Sequence, residues 1–310
     1  MADPAGAESA GADRGGESAA ADRVAEPAGT DRGAEPAGTE SAAADRVVPV
    51  AASGRGFDAA WDRLSVLRRD ADPRDGENPD DPETVQAMPV VLEVPKSPRP
   101  DRRALLEAAA TAAVACCLAP AAGDDGEWAA ALQRWYGARI RKVARRARGA
   151  RWDAVQALPG VTAEVGGARA RAFVPGPVHR TDPLVDRLQI EGTDLPTGDD
   201  AEVAASARRW AGEGLPVLYV DRTLGMTVGK AAAQVGHASM LLAAEMGRDA
   251  ARRWAAAGFP LRVAEVDAAT FADARRGAVA VVADAGFTEV APGAVTVAAC
   301  TGPVAGAPGD

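Results

Sequence analysis

Three lysines stand among 32 arginines in this chain, at Lys96, Lys142 and Lys230. Lys230 lies in the run Gly229-Lys230-Ala231-Ala232-Ala233-Gln234-Val235-Gly236-His237-Ala238, directly after a strand and a loop. At about 100° per residue, Lys230, Gln234 and His237 fall on one stripe of a helix. Ala231, Val235 and Ala238 form the neighbouring stripe that faces a core. A lysine in the first helical turn reinforces the anion preference of the free N–H groups there. A P-loop is excluded: Gly225 to Gly229 is one residue short, and alanine follows the lysine where a magnesium-binding hydroxyl belongs. For His237, a helix-packing role fits better than a proton carrier.

A second cluster is Asp284-Ala285-Gly286-Phe287-Thr288, followed by Pro292-Gly293 and Thr296. Asp284 ends the apolar run Val279–Ala283, where an α/β sheet commonly presents a site. A turn at Pro292-Gly293 brings both threonine hydroxyls to one end of the sheet. A carboxylate, two hydroxyls and a lysine suit attack by water with acid/base help and no metal. The same residues also fit a strand-ending Asx turn with ordinary β threonines.

The elements that must position these groups read as two similar series. The first has a strand at Pro89–Val94, a helix at 101–118 and a helix around Trp128–Trp135. A strand at Arg139–Val143, a short helix at 152–158 and a β segment at 161–174 follow. The second has a strand at Pro216–Val220, helices at 229–246 and 249–257, and a strand at 261–266. A short helix at 268–275 and strands at 278–283 and 295–300 complete it. Pro89-Val90 lies 127 positions before Pro216-Val217, and Trp128 lies 126 before Trp254. The expected fold is α/β: two tandem copies of a small mixed-sheet domain with covering helices, after a disordered N-terminal tail. The expected boundaries are 1–86 for the tail, 87–178 and 215–310 for the copies, and 179–214 for a connector. The connector is expected to hold a helix near Val203–Trp210. Within the tail, Phe57, Trp61, Leu64 and Leu67 are spaced as a docking helix or a transient turn.

Taken together, the Gly229–Ala238 motif, Asp284-Ala285-Gly286-x-Thr288, Pro292-Gly293, Thr296 and Gly302-Pro303 resemble type II peptidyl-tRNA hydrolase over about 215–304. The resemblance implies hydrolysis of the ester between a peptide and the 3′-terminal ribose of tRNA, with no cofactor and no metal. It carries over Lys230, Asp284, Thr288 and Thr296 as catalytic residues. Gly229, Gln234 and His237 match the family's helix motif and are assigned to substrate binding. Asp284 then orients or deprotonates water, and Lys230 either pairs with Asp284 or stabilises charge at the ester carbonyl. In the first copy, constant offsets set Arg103, Glu107 and Ala110 against Lys230, Gln234 and His237. They likewise set Leu158 against Asp284 and Ala170 against Thr296. That copy is expected to be inactive, and the two copies to form an internal pseudo-dimer within a monomer.

Charge separates the segments. The net charge is −9, and the tail carries slightly more than all of it: residues 1–86 sum to −10, 87–178 to +6, 179–214 to −4 and 215–310 to −1. The near-exact repeats within 1–50 have no apolar face for a solenoid to bury. Arg139, Arg141, Lys142, Arg145 and Arg146, in an acid-free stretch at 134–151 with nearby aromatics, are expected to contact tRNA phosphates. A solvated arginine-rich face is the bland reading of that stretch. A non-catalytic tRNA- or ribosome-binding protein using 134–151 is the rival function. Three cysteines without a C-x-x-C pair, a start without a signal pattern and no long apolar run point to a cytoplasmic protein with no membrane or DNA partner.

Overall fold

The computed structural model describes residues 54–68, 76–78, 80–190, 194–198, 210, 213–284 and 289–303. All of them belong to one compact unit, residues 42–310. The repeats of 1–50 and nearly all of the expected connector helix lie outside the described residues. No helix among the described residues is long and apolar enough to cross a membrane.

The first half contains β1 (Gln86–Glu93), α2 (Arg102–Cys117), α3 (Ala129–Tyr136), β2 (Arg141–Ala147), α4 (Ala150–Val155), β3 (Gly160–Val165) and β4 (Ala168–Phe173). Before it comes α1 (Arg55–Leu64), and after it a two-residue β5 (Gly176–Pro177) and a short α5 (Pro183–Asp186). The second half contains β6 (Val217–Asp221), α6 (Val228–Glu245), α7 (Arg248–Ala256), β7 (Arg262–Val266), α8 (Ala268–Gly277), β8 (Ala280–Ala283) and β9 (Val295–Cys300). Strand order is β2-β1-β4-β3 in one sheet and β7-β6-β9-β8 in the other. In each, the first pair is parallel and the remaining pairs are antiparallel. The α/β class with two mixed sheets is therefore as expected.

Alanine explains how the halves meet. Helices α2 and α6 are buried along nearly their whole length, and small side chains let their backbones approach closely. Ser239 Oγ donates to the Ala110 carbonyl at 2.8 Å, and a Cβ built on Gly236 lies 3.3 Å from Ala113 Cβ. As one residue number rises the other falls, so the helices run antiparallel. Side-chain caps start both: Asp101 accepts from Ala104 N–H, and Thr227 from Lys230 N–H.

The structural register corrects the residue pairing read at constant offset. The caps Asp101 and Thr227 stand 126 apart, and the exchanged contacts Ala110–Ser239 and Ala113–Gly236 obey the same spacing. Ala104, Ala108 and Thr111, rather than Arg103, Glu107 and Ala110, therefore occupy the places of Lys230, Gln234 and His237. In the hairpins the difference is larger. Gly166-Gly167, both at positive φ, turn β3 tightly into β4, whereas residues 284–294 separate β8 from β9. Matching each hairpin to its central strand, Val90 opposite Ala172 and Val217 opposite Cys300, puts Ala168 at the place of Thr296. The same register puts Gly166 at the place of Asp284. Leu158 and Ala170 hold neither position. Trp135, the seventh residue of α3, matches Trp254, the seventh of α7; Trp128 only precedes its helix.

The segment around Trp61 docks on the protein's own body. Phe57, Ala60, Trp61 and Leu64 form the buried stripe of α1. Trp61 Nε1 donates to the Ala243 carbonyl at 2.9 Å, while Asp58 pairs with Arg252 and Asp62 with Arg248 on α7. On the other side Arg63 donates to the Ala122 carbonyl of the first half. The described residues thus include a helix within the expected tail.

Candidate active site

Helix α6 and the β8–β9 end of the second sheet carry the site. Lys230 sits in the first turn of α6, behind the Thr227 cap, and its Nζ donates to Asp284 Oδ2. Gln234, one turn further on, donates from Nε2 to the same oxygen at 2.7 Å. Its Oε1 accepts from Thr296 Oγ1 at 2.8 Å. Thr296 also reaches the Val282 carbonyl at 3.2 Å. One amide therefore ties the carboxylate to the hydroxyl. Asp284 is 8 % exposed, Gln234 4 % and Thr296 fully buried. In so dry a setting the ammonium–carboxylate attraction is strong and unpaired groups are costly.

The backbone fixes the carboxylate as firmly as the side chains do. Asp284 N–H donates to the Ala294 carbonyl at 2.9 Å, and its own carbonyl accepts from Gly293 N–H at 2.7 Å. The strand register slips between Val282 and Ala283, and such a bulge re-aims the side chain that follows. Glu289 closes the arrangement: its carboxylate accepts from Thr227 N–H at 2.8 Å and Thr227 Oγ1 at 2.7 Å. This clamps the loop onto the start of α6. Sequence reasoning missed Glu289 and the bridging role of Gln234. The Thr-x-x-Lys spacing at 227–230 signalled the cap, but nothing local marks a glutamate 62 positions away as its partner.

The remaining candidates separate. Thr288 lies outside the described residues. Gly229 faces Ala144 of β2: a Cβ built on the glycine would lie 3.7 Å from Ala144 Cβ. His237 Nδ1 lies 3.2 Å from Lys142 Nζ. The basic strand β2 is mostly engaged internally. Arg141 forms a two-pronged pair with Glu77, Arg145 bonds Asp186 and the Leu188 carbonyl, and Arg146 bonds Gln189. Arg139 is exposed. Lys142 is buried, with Nζ 2.8 Å from Met240 Sδ and 4.8 Å from the Trp135 ring centre. Its stem lies over Gly236, where a Cβ would approach within 3.1 Å.

Residues 216–306 match the peptidyl-tRNA hydrolase PTH2 family. No curated protein and no solved structure matches the chain. The PTH2 match takes in Lys230, Gln234, Asp284 and Thr296, and also His237 and Thr288. It stops short of the first half, of α1 and of the basic strand. This match supports a role connected with peptidyl-tRNA for the region it covers, and the buried carboxylate cluster lies wholly within it.

Burial pushes Lys142 down to about 7 from an ordinary 10.5. The unfolded chain keeps the higher value, so between about pH 7 and 10.5 it binds more protons than the folded chain. This lysine therefore makes stability rise with pH across that window and weakens the fold as pH falls toward 7. Urea midpoints measured from pH 7 to 10 should rise less steeply in Lys142→Met than in the parent; identical slopes would refute the burial effect.

Proposed function

We propose that the chain hydrolyses the ester bond of peptidyl-tRNA at the Asp284 cluster. The observation that carries the reading is the convergence of Lys230 and Gln234 on one Asp284 oxygen, with Thr296 held behind Gln234. A buried carboxylate so fixed orients an attacking water and accepts its proton. The direct Lys230–Asp284 contact favours pairing as the lysine's role in the free protein; as negative charge develops on the ester oxygen, the same ammonium stabilises it. Gln234 acts as a positioning residue, holding carboxylate and hydroxyl in register. Thr288 belongs to the same proposal on its motif alone.

Residues 87–178 are, on this reading, an inactive copy of the catalytic domain at 215–310. The shared strand order and the antiparallel α2–α6 contact support duplication and an internal pseudo-dimer. Gly166, Ala104 and Ala108 in the places of Asp284, Lys230 and Gln234 leave that copy without a catalytic group. Arg139, just before β2, and Arg146 with its neutral glutamine partner remain the best-placed residues of this segment for tRNA phosphates. The direct test is release of peptide from a peptidyl-tRNA by the full chain. Release is the expected result, and tRNA binding without release favours the rival binding function. Sedimentation at low concentration should show a monomer.

A further inference from the structure

The catalytic carboxylate stands at the end of an open sheet edge. Strand β8 pairs with β9 on one side, and among the described residues no strand pairs with its other side. The Val282 carbonyl turns toward β9, where it meets Thr296 Oγ1. Backbone directions alternate along a strand, so Val281 presents its N–H and C=O outward. Val279 and Val281 are 43 % and 42 % exposed. Exposed edges are normally blunted by charge or proline, and the run Ala278-Val279-Ala280-Val281-Val282-Ala283 contains neither. The next residue is Asp284.

A peptidyl-tRNA offers no constant side chain for recognition, because its peptide can have any sequence. Its constant feature beside the ester is the peptide backbone, and strand addition is the mode that reads backbone. From this juxtaposition we infer that the peptide moiety of the substrate adds as an extended strand to the outer edge of β8, delivering its C-terminal ester to Asp284. The inference rests on the hydrolase reading and names what its substrate touches. Val279 and Val281 supply apolar contact along the edge, and the bulge after Val282 ends the pairing where chemistry begins.

The test compares kcat/KM for tRNA carrying a peptide of about six residues, a usual strand length, with that for N-acetylaminoacyl-tRNA. The parent protein should prefer the longer substrate by about tenfold, the size of one or two backbone hydrogen bonds. Val281→Pro removes the outward N–H at a place where an edge strand tolerates proline, and should bring the preference close to one. Val281→Thr keeps the backbone and should keep the preference. If Val281→Pro lowers the melting temperature, a peptide N-methylated at alternate amides, tried on the parent protein, decides instead: it should lose the preference. An unchanged preference in Val281→Pro or with the N-methylated peptide overturns the inference while leaving the hydrolase intact. So does sedimentation showing a dimer that Val281→Pro dissolves, since a second copy then occupies the edge. A folded parent protein that cleaves neither substrate overturns the hydrolase reading itself, and the inference with it.

Discussion

Asp284→Asn is expected to lower kcat for peptide release by about 10²-fold or more, the range that general-base and charge-stabilising groups supply. The substitution is nearly isosteric, so Gln234 and the backbone bonds to Gly293 and Ala294 keep the loop in place. What is lost is the acceptor for a water proton and the counter-charge to Lys230, whose side chain is only 11 % exposed. A drop in kcat larger than the rise in KM marks a role in the transition state rather than in binding. Lys230→Ala should show a similar loss. Full-length variants that fold normally and turn over at the parent rate would remove Asp284 from the mechanism.

The parts of this site that were legible in the sequence are those governed by local rules. Helical spacing put Lys230 and Gln234 on one stripe, and the apolar run into Asp284 put the carboxylate at a strand end. Both follow from backbone periodicity, which needs no knowledge of the partner. The bond from Gln234 to Asp284, by contrast, spans 50 positions and depends on how α6 lies across the sheet. Lys142 shows the same limit from the other side. Within an acid-free stretch it reads as one more phosphate contact, yet strand alternation turns Lys142 and Ala144 inward while Arg141 and Arg145 point away. Counting charges over a segment ignores that two-residue period.

The comparison of the halves failed in a different way. A constant offset presumes equal loops, whereas the Gly166-Gly167 turn replaces the 284–294 loop and the segment before β2 is of another length. The two sheets share one strand order, but a single offset pairs residues only until a connection changes length. The corrected register strengthens the proposal that only the second half acts. At Gly166 the first half lacks the loop on which a carboxylate would be held, as well as the carboxylate.

The other half contributes through a buried charge. Arg102, 4 % exposed, donates to both oxygens of Glu265 at 2.8 and 2.9 Å, to the Met226 carbonyl at 2.9 Å and to the Leu195 carbonyl at 3.3 Å. It thus joins α2 to β7 and to the residue just before the Thr227 cap of α6. Removing one member of a buried pair strands the other, so Arg102→Met should cost about 3–5 kcal/mol. Urea unfolding should show it as a lowered midpoint with little change in slope. Adding Glu265→Leu removes the stranded carboxylate and should recover a large part of the loss, though not the bonds to the two carbonyls. Because Met226 leads into the cap that sets Lys230, Arg102→Met should also lower kcat/KM for peptide release under conditions where the variant remains folded. An unshifted midpoint would show that the two halves cohere without this pair, and that the alanine contact of α2 with α6 suffices to hold the site's helix in place.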